Sequence, residues 1–184
     1  MIHTQLTVMA AALAWLGVAP TAVLAHDDVD PSPAHTRIQF SFTANGPYDR
    51  AAPLFGAHEE SKWAAGWEPR FLHPAPAKDQ PGAVFLVKRG QNLSVWTTTA
   101  FDLPGGHVQY VYVMNGALVT LIDIHLTHEG REKTGVSVVY ERTALTPEAN
   151  DQVAQLAEQD KGFRKEWEDE INEYLDRTRG AGRP

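Results

Sequence analysis

Between residues 37 and 43 apolar and polar side chains alternate, Ile38, Phe40 and Phe42 against Gln39, Ser41 and Thr43. A period of two sends the two sets to opposite faces of an extended chain, so this stretch predicts a half-buried strand. Asn45-Gly46-Pro47 stops it. Residues 48–56 predict a short helix, with Pro47 suited to its first turn and Gly56 to its end. Residues 63–74 are aromatic-rich and broken by prolines, and predict a loop leading into a short strand. A Pro-rich connection covers 75–82. Segments 84–88, 93–101, 107–114, 118–127 and 133–142 then predict strands from their β-branched and aromatic content. Pro104-Gly105-Gly106, Asn115-Gly116 and Glu129-Gly130 separate the last four, which therefore read as an antiparallel meander.

The final pattern has a different period. Thr146-Pro147-Glu148 supplies an N-cap, a proline for the first helical position and an acidic residue for the helix N-terminus. Val153, Leu156, Phe163, Trp167, Ile171, Tyr174 and Leu175 follow at three- and four-residue spacings. They predict an amphipathic helix of about 30 residues with one apolar stripe. Asp160 and Gly162 interrupt that stripe early, and Arg179-Gly180 marks the end.

A sheet with one apolar face and a helix with one apolar stripe must cover each other. The fold class is therefore α+β, a curved antiparallel sheet of about six or seven strands wrapped around the long C-terminal helix. The order of elements resembles the helix-grip fold of the SRPBCC (START-like, polyketide cyclase-like) superfamily. The local words Trp63-Ala-Ala-Gly-Trp67-Glu-Pro, Val95-Trp96, residues 134–140, and Thr143-Ala-Leu-Thr146 are similar to a bacterial group within it. The resemblance covers roughly residues 36–176. It implies a cavity between sheet and helix that often holds a hydrophobic ligand.

Ahead of this domain, residues 6–19 form a nearly unbroken apolar run, followed by Pro20, Ala22-Val-Leu-Ala25 and the polar His26-Asp27-Asp28. Small side chains at Val23 and Ala25 fit signal-peptidase cleavage after Ala25. The first five residues carry no Lys or Arg, a departure from the usual positive start. The alternative is a retained anchor, although the run is short of the about 20 residues of a span. The expected organisation is a signal peptide at 1–25, a flexible lead-in at 26–35, the helix-grip domain at 36–178 and a tail at 179–184. The mature chain is then periplasmic or secreted, with no membrane span.

Composition removes several functions. The formal net charge of −7 and the lack of a clustered basic patch argue against nucleic acid. The absence of cysteine excludes disulfides, thiolate metal sites and a cysteine nucleophile. No zinc-protease motif, P-loop, dinucleotide fingerprint or nucleophile elbow is present. His125 and His128 diverge at a strand end. His26, if it becomes the N-terminus, could chelate copper, but an ordinary terminus is the reading kept. No metal or cofactor is expected.

Strand parity nominates the cavity lining. Val136, Val138 and Tyr140 face inward and carry Arg142 with them, whereas Ile122, Ile124 and Leu126 leave Asp123 and His125 on the outer face. Arg142 either holds a ligand's polar end, pairs with an acidic residue of the long helix, or caps the sheet edge. Trp96 and Thr98 share a face, as do Val108 and Tyr110. Phe163 and Trp167 come from the helix, and Trp63 and Trp67 either gate the cavity or seal one end. The candidate ligand-binding set is Trp67, Trp96, Thr98, Tyr110, Tyr140, Arg142, Phe163 and Trp167, with no catalytic residue. It predicts a binding protein for a hydrophobic or amphipathic small molecule. The alternatives are a cofactor-independent cyclase or dehydratase, which needs an inward acid or base, and a structural or partner-binding envelope protein with a filled core.

Overall fold

The computed structural model describes residues 32–179; the predicted leader, its cleavage site, most of the lead-in and nearly all of the tail lie outside the described residues. Seven strands form one antiparallel sheet. β1 (His35–Ala44) is followed by α1 (Tyr48–Ala51), a 3-10 turn (Ala52–Phe55) and α2 (Ala57–Glu60). Then come β2 (Arg70–His73), β3 (Val84–Arg89), β4 (Asn92–Asp102), β5 (His107–Met114), β6 (Leu118–His128) and β7 (Thr134–Ala144). A 3-10 turn (Pro147–Ala149) leads into α3 (Asn150–Thr178). The strand order is β1-β7-β6-β5-β4-β3-β2. Consecutive hairpins lay down β2 to β7, and β1 joins at the far side of β7.

The alternation in the sequence sets which face is dry. On β6, Ile122, Ile124 and Leu126 are buried while Asp123 is half-buried and His125 exposed. Opposite them on β7, Val136, Val138 and Tyr140 are buried in register, with Leu126↔Val136, Ile124↔Val138 and Ile122↔Tyr140 as direct partners. α3 covers this face with Val153, Ala157, Ile171 and Leu175. Each fully buried aliphatic side chain of that kind stabilises by about 1.5–3 kcal/mol relative to exposure. The β1–α1 junction is tied to the helix by side-chain amides. Asn172 accepts from the Asn45 N–H at 2.7 Å and donates to the Thr43 carbonyl at 3.2 Å.

Two local expectations change. The short helix at 48–56 becomes α1 plus a 3-10 turn ending at Gly56, and a further turn, α2, follows it. Thr146 precedes a 3-10 turn and makes no side-chain cap, so the first turn of the C-terminal element is tighter than an α-helix.

The β4–β5 turn depends on Gly106. Its φ is +71°, and a Cβ there would sit 2.3 Å from the Leu126 carbonyl oxygen. The Leu126 N–H in turn donates to the Gly106 carbonyl at 2.8 Å. Gly106→Ala is expected to destabilise by more than the roughly 1–2 kcal/mol of the left-handed backbone alone, because a fixed backbone oxygen must also move. A urea titration reads this as a lower midpoint at unchanged slope.

Candidate functional site

Between the concave sheet face and α3 lies a cavity of about 270 Å³. Trp96 from β4, Tyr110 and Tyr112 from β5, and Tyr140 and Arg142 from β7 reach it from the sheet. Phe163 and Trp167 reach it from α3, and Trp63 and Trp67 from the loop after α2. All the sequence-nominated residues except Thr98 therefore line one space. Thr98 is inward and buried but lies off the cavity. β4 shifts register between Thr98 and Ala100, and the short side chain ends within the core wall.

The walls are an interlocked aromatic set. Trp96 stacks on Tyr112 with centroids 4.2 Å apart and meets Trp67 edge-on at 5.3 Å. Trp167 meets Trp63 edge-on at 5.8 Å and Tyr140 at 6.4 Å. Such offset and T-shaped pairs contribute about 0.5–1.5 kcal/mol beyond area burial. The polar ends of several rings are satisfied within the protein. The indole N–H groups of Trp63 and Trp67 donate to the Leu54 and Ala57 carbonyls at 2.8 and 2.7 Å. Those bonds tie the two tryptophans to the segment from the first 3-10 turn to α2. The Tyr110 hydroxyl donates to the Phe55 carbonyl at 2.7 Å.

Arg142 is buried and forms an ion pair with Asp160 of α3, donating from Nη1 to Oδ2. Its guanidinium also lies over the Tyr140 ring, 4.8 Å from the centroid. Among the roles left open for Arg142, the structure places it in a pair with an acid of the long helix. Asp160 is thus the buried partner of Arg142 where the apolar stripe breaks. Arg142 Nε and Asp160 Oδ1 have no hydrogen-bond partner among the described residues. Burial raises the Asp160 carboxyl above the ordinary aspartate range, and the Arg142 charge and hydrogen bond oppose that rise.

The Tyr140 hydroxyl and the Glu60 carboxyl are among the cavity's polar groups that carry no protein hydrogen bond among the described residues. Glu60 closes α2 and lines the cavity. Burial pushes its carboxyl up to about 8, against the opposing Arg89 guanidinium, and Asp79 and Glu170 add to the rise. At neutral pH it is a neutral acid that can donate a hydrogen bond. It is also poised to exchange a proton near pH 8. Burial likewise raises the Tyr140 phenol, with Glu60 contributing, so it stays protonated. The sequence reading did not nominate Glu60. No pattern signals it, because α2 is a single turn and the chain after Glu60 is not helical.

On the outer face Asp123 and His125 point away from the cavity, as parity required. They are joined there by His107 of β5, the direct cross-strand partner of His125. His128 diverges and stacks on Tyr48 at 4.1 Å.

The elements and the cavity together define a helix-grip protein, seven antiparallel strands holding one long helix. No family model and no curated relative matches the chain. Solved structures do. A norcoclaurine synthase point mutant from Thalictrum flavum, in complex with a transition state analogue, matches with a TM-score of 0.61 at 12% identity, over 80% of this chain and 99% of that one. The protein Mll3558 from Rhizobium loti matches with a TM-score of 0.53 at 16% identity, over 79% and 97% of the two chains. Ara h 8.0201 also matches with a TM-score of 0.53, at 14% identity over 77% and 98%. These likenesses show the helix-grip fold, as the order of elements implied. No described helix is long and apolar enough to cross a membrane.

Proposed function

We propose that the chain binds a small amphipathic molecule in the cavity between the sheet and α3. The observation that carries this reading is an aromatic-walled space into which Glu60 and Tyr140 bring polar groups that have no protein hydrogen bond among the described residues. Burying apolar ligand surface at about 25 cal/mol per Å² supplies the affinity. A protonated Glu60 and the Tyr140 hydroxyl orient the polar end. The volume, about 270 Å³, is just below the range of about 300–1,000 Å³ usual for small-molecule sites. It suits a body of one or two rings better than a long acyl chain. Arg142 is assigned to the ion pair with Asp160, and its part in binding is to shape the wall. The leader pattern supports export with cleavage after Ala25, so the binding takes place outside the cytoplasm.

The test is native mass spectrometry of the protein recovered from its own compartment, followed by identification of whatever is released. The expected spectrum shows a chain starting at His26 with a discrete bound mass. A ligand-free chain that takes up nothing from a panel of aromatic and amphipathic compounds overturns the binding reading.

A second reading is acid–base catalysis in the same cavity, and Glu60 is the observation that favours it. The group supplies the inward acid that a cyclase or dehydratase requires. A norcoclaurine synthase of the same fold, an enzyme by name, supports the compatibility of this architecture with chemistry. Under that reading Glu60→Gln retains ligand uptake and loses turnover.

A further inference from the structure

The outer face of the sheet carries a second arrangement, independent of the cavity. β5 and β6 place His107 directly opposite His125, and Asp123 lies two residues before His125 on the same face. His107 Nε2 is 2.7 Å from Asp123 Oδ1, and His125 Nε2 is 3.1 Å from Asp123 Oδ2. The two imidazole rings are parallel, 5° apart in plane, with centroids separated by 4.9 Å. One potential ligand atom from each of the three residues falls within 4.8 Å of the others.

The carboxylate is also held from behind. Gln109 Nε2 donates to Asp123 Oδ1 at 3.0 Å, and Gln109 Oε1 accepts from the Thr99 hydroxyl at 2.8 Å. A file of side chains from β4, β5 and β6 thus aims one carboxylate at two imidazoles. Such outer-sphere orientation accompanies metal ligation.

We propose that His107, Asp123 and His125 form a binding site for a divalent first-row transition metal, with Zn²⁺ as its representative. Two imidazole nitrogens and one carboxylate oxygen are a ligand set suited to such ions. At metal–ligand bonds of about 2.0–2.1 Å, neighbouring ligand atoms stand about 2.9–3.4 Å apart. Both Asp–His separations are already close to that range. Closing the His–His side takes rotation of His125, whose side chain is 57% exposed. Because the three ligands come from one sheet face, the opposite side of the ion is open to water or to an exogenous ligand. The site does not rest on the cavity function, and neither result decides the other.

The experiment is calorimetric titration of the purified chain with ZnCl₂, alongside the visible spectrum with CoCl₂. One ion per chain is expected, with cobalt bands of a bound rather than a hydrated ion. His125→Ala and Asp123→Asn are expected to weaken binding about tenfold or more, and Gln109→Ala, which keeps all three ligands, by about 10-fold. The side chains are on the solvent face, so the metal-free melting temperature of each variant stays near that of the parent. His26→Ala is expected to bind as the parent does. Failure to bind zinc stoichiometrically overturns the proposal, as does binding that survives His125→Ala but is lost with His26→Ala.

Discussion

Asp160→Ala is expected to cost about 3–5 kcal/mol of folding stability, the penalty for leaving one partner of a buried ion pair uncompensated. Arg142 and Asp160 are almost wholly excluded from solvent, with side chains 3% and 0% exposed. Their guanidinium and carboxylate have little else to bond to. Removing the carboxylate leaves a guanidinium in an aromatic enclosure with only the Tyr140 face beneath it. For a domain of this size a loss of that magnitude lowers the melting temperature by roughly 10 °C or more. The double variant Arg142→Met/Asp160→Leu separates two explanations. If the cost arises from the orphaned charge, the apolar pair recovers most of the stability. If the double variant is as unstable as the single one, the pair acts through geometry that hydrophobic packing cannot replace. Thermal melts of both variants decide between them.

The second large effect concerns pH. In the folded chain Glu60 titrates at about 8, against an ordinary value of 4.5. Below pH 4.5 the carboxyl is protonated in both folded and unfolded states, and its contribution is fully present. As pH rises from 4.5 to 8 the unfolded chain gives up the proton while the folded chain keeps it, so stability falls through that window and levels off above it. The slope of a single such proton is about 1.4 kcal/mol per pH unit. Glu60 is only half-buried by its surface exposure, and solvent access through the cavity reduces the total to about 2 kcal/mol. Glu60→Gln is therefore expected to be more stable than the parent at pH 8, with the advantage vanishing toward pH 4.5. Urea midpoints across pH 4–9 measure it. A parent and variant with parallel profiles contradict a neutral Glu60. The same variant changes the cavity chemically, because an amide donates at every pH whereas the carboxyl stops donating when it ionises. Ligand uptake by the parent should accordingly decline above pH 8, and that by the variant should not.

The elements that were plain in the sequence are those whose pattern repeats locally. The alternation at Ile38, Phe40 and Phe42 is visible without any partner strand, and so is the three-to-four spacing from Val153 to Leu175. Parity then carried most of the cavity lining, because a period of two assigns faces as soon as one face is known to be dry. What stayed hidden depends on contacts between distant residues. α2 is a single turn with no periodicity of its own, so Glu60 could not be placed in the cavity by pattern. Asp160 breaks the apolar stripe when the helix is considered alone, and becomes intelligible only once Arg142 lies opposite. Asp123 and His125 were correctly assigned to the outer face, but His107 joins them through the register of β5 on β6, which single-strand parity does not supply.

The position of β1 has a consequence for how the chain matures. Its partner is β7, in a register that sets His35 against Thr143, with ten residue pairs along the two strands. The Ala34 N–H then donates to the Asn150 side chain at 2.7 Å, across 116 residues. An emerging polypeptide therefore presents Ile38, Phe40 and Phe42 with no strand to receive them until all six other strands have been made. Contacts of such long range are slow to form, and the interval leaves an apolar edge open to other chains. The fold can close only late, and until then its first strand is a segment for chaperones to hold.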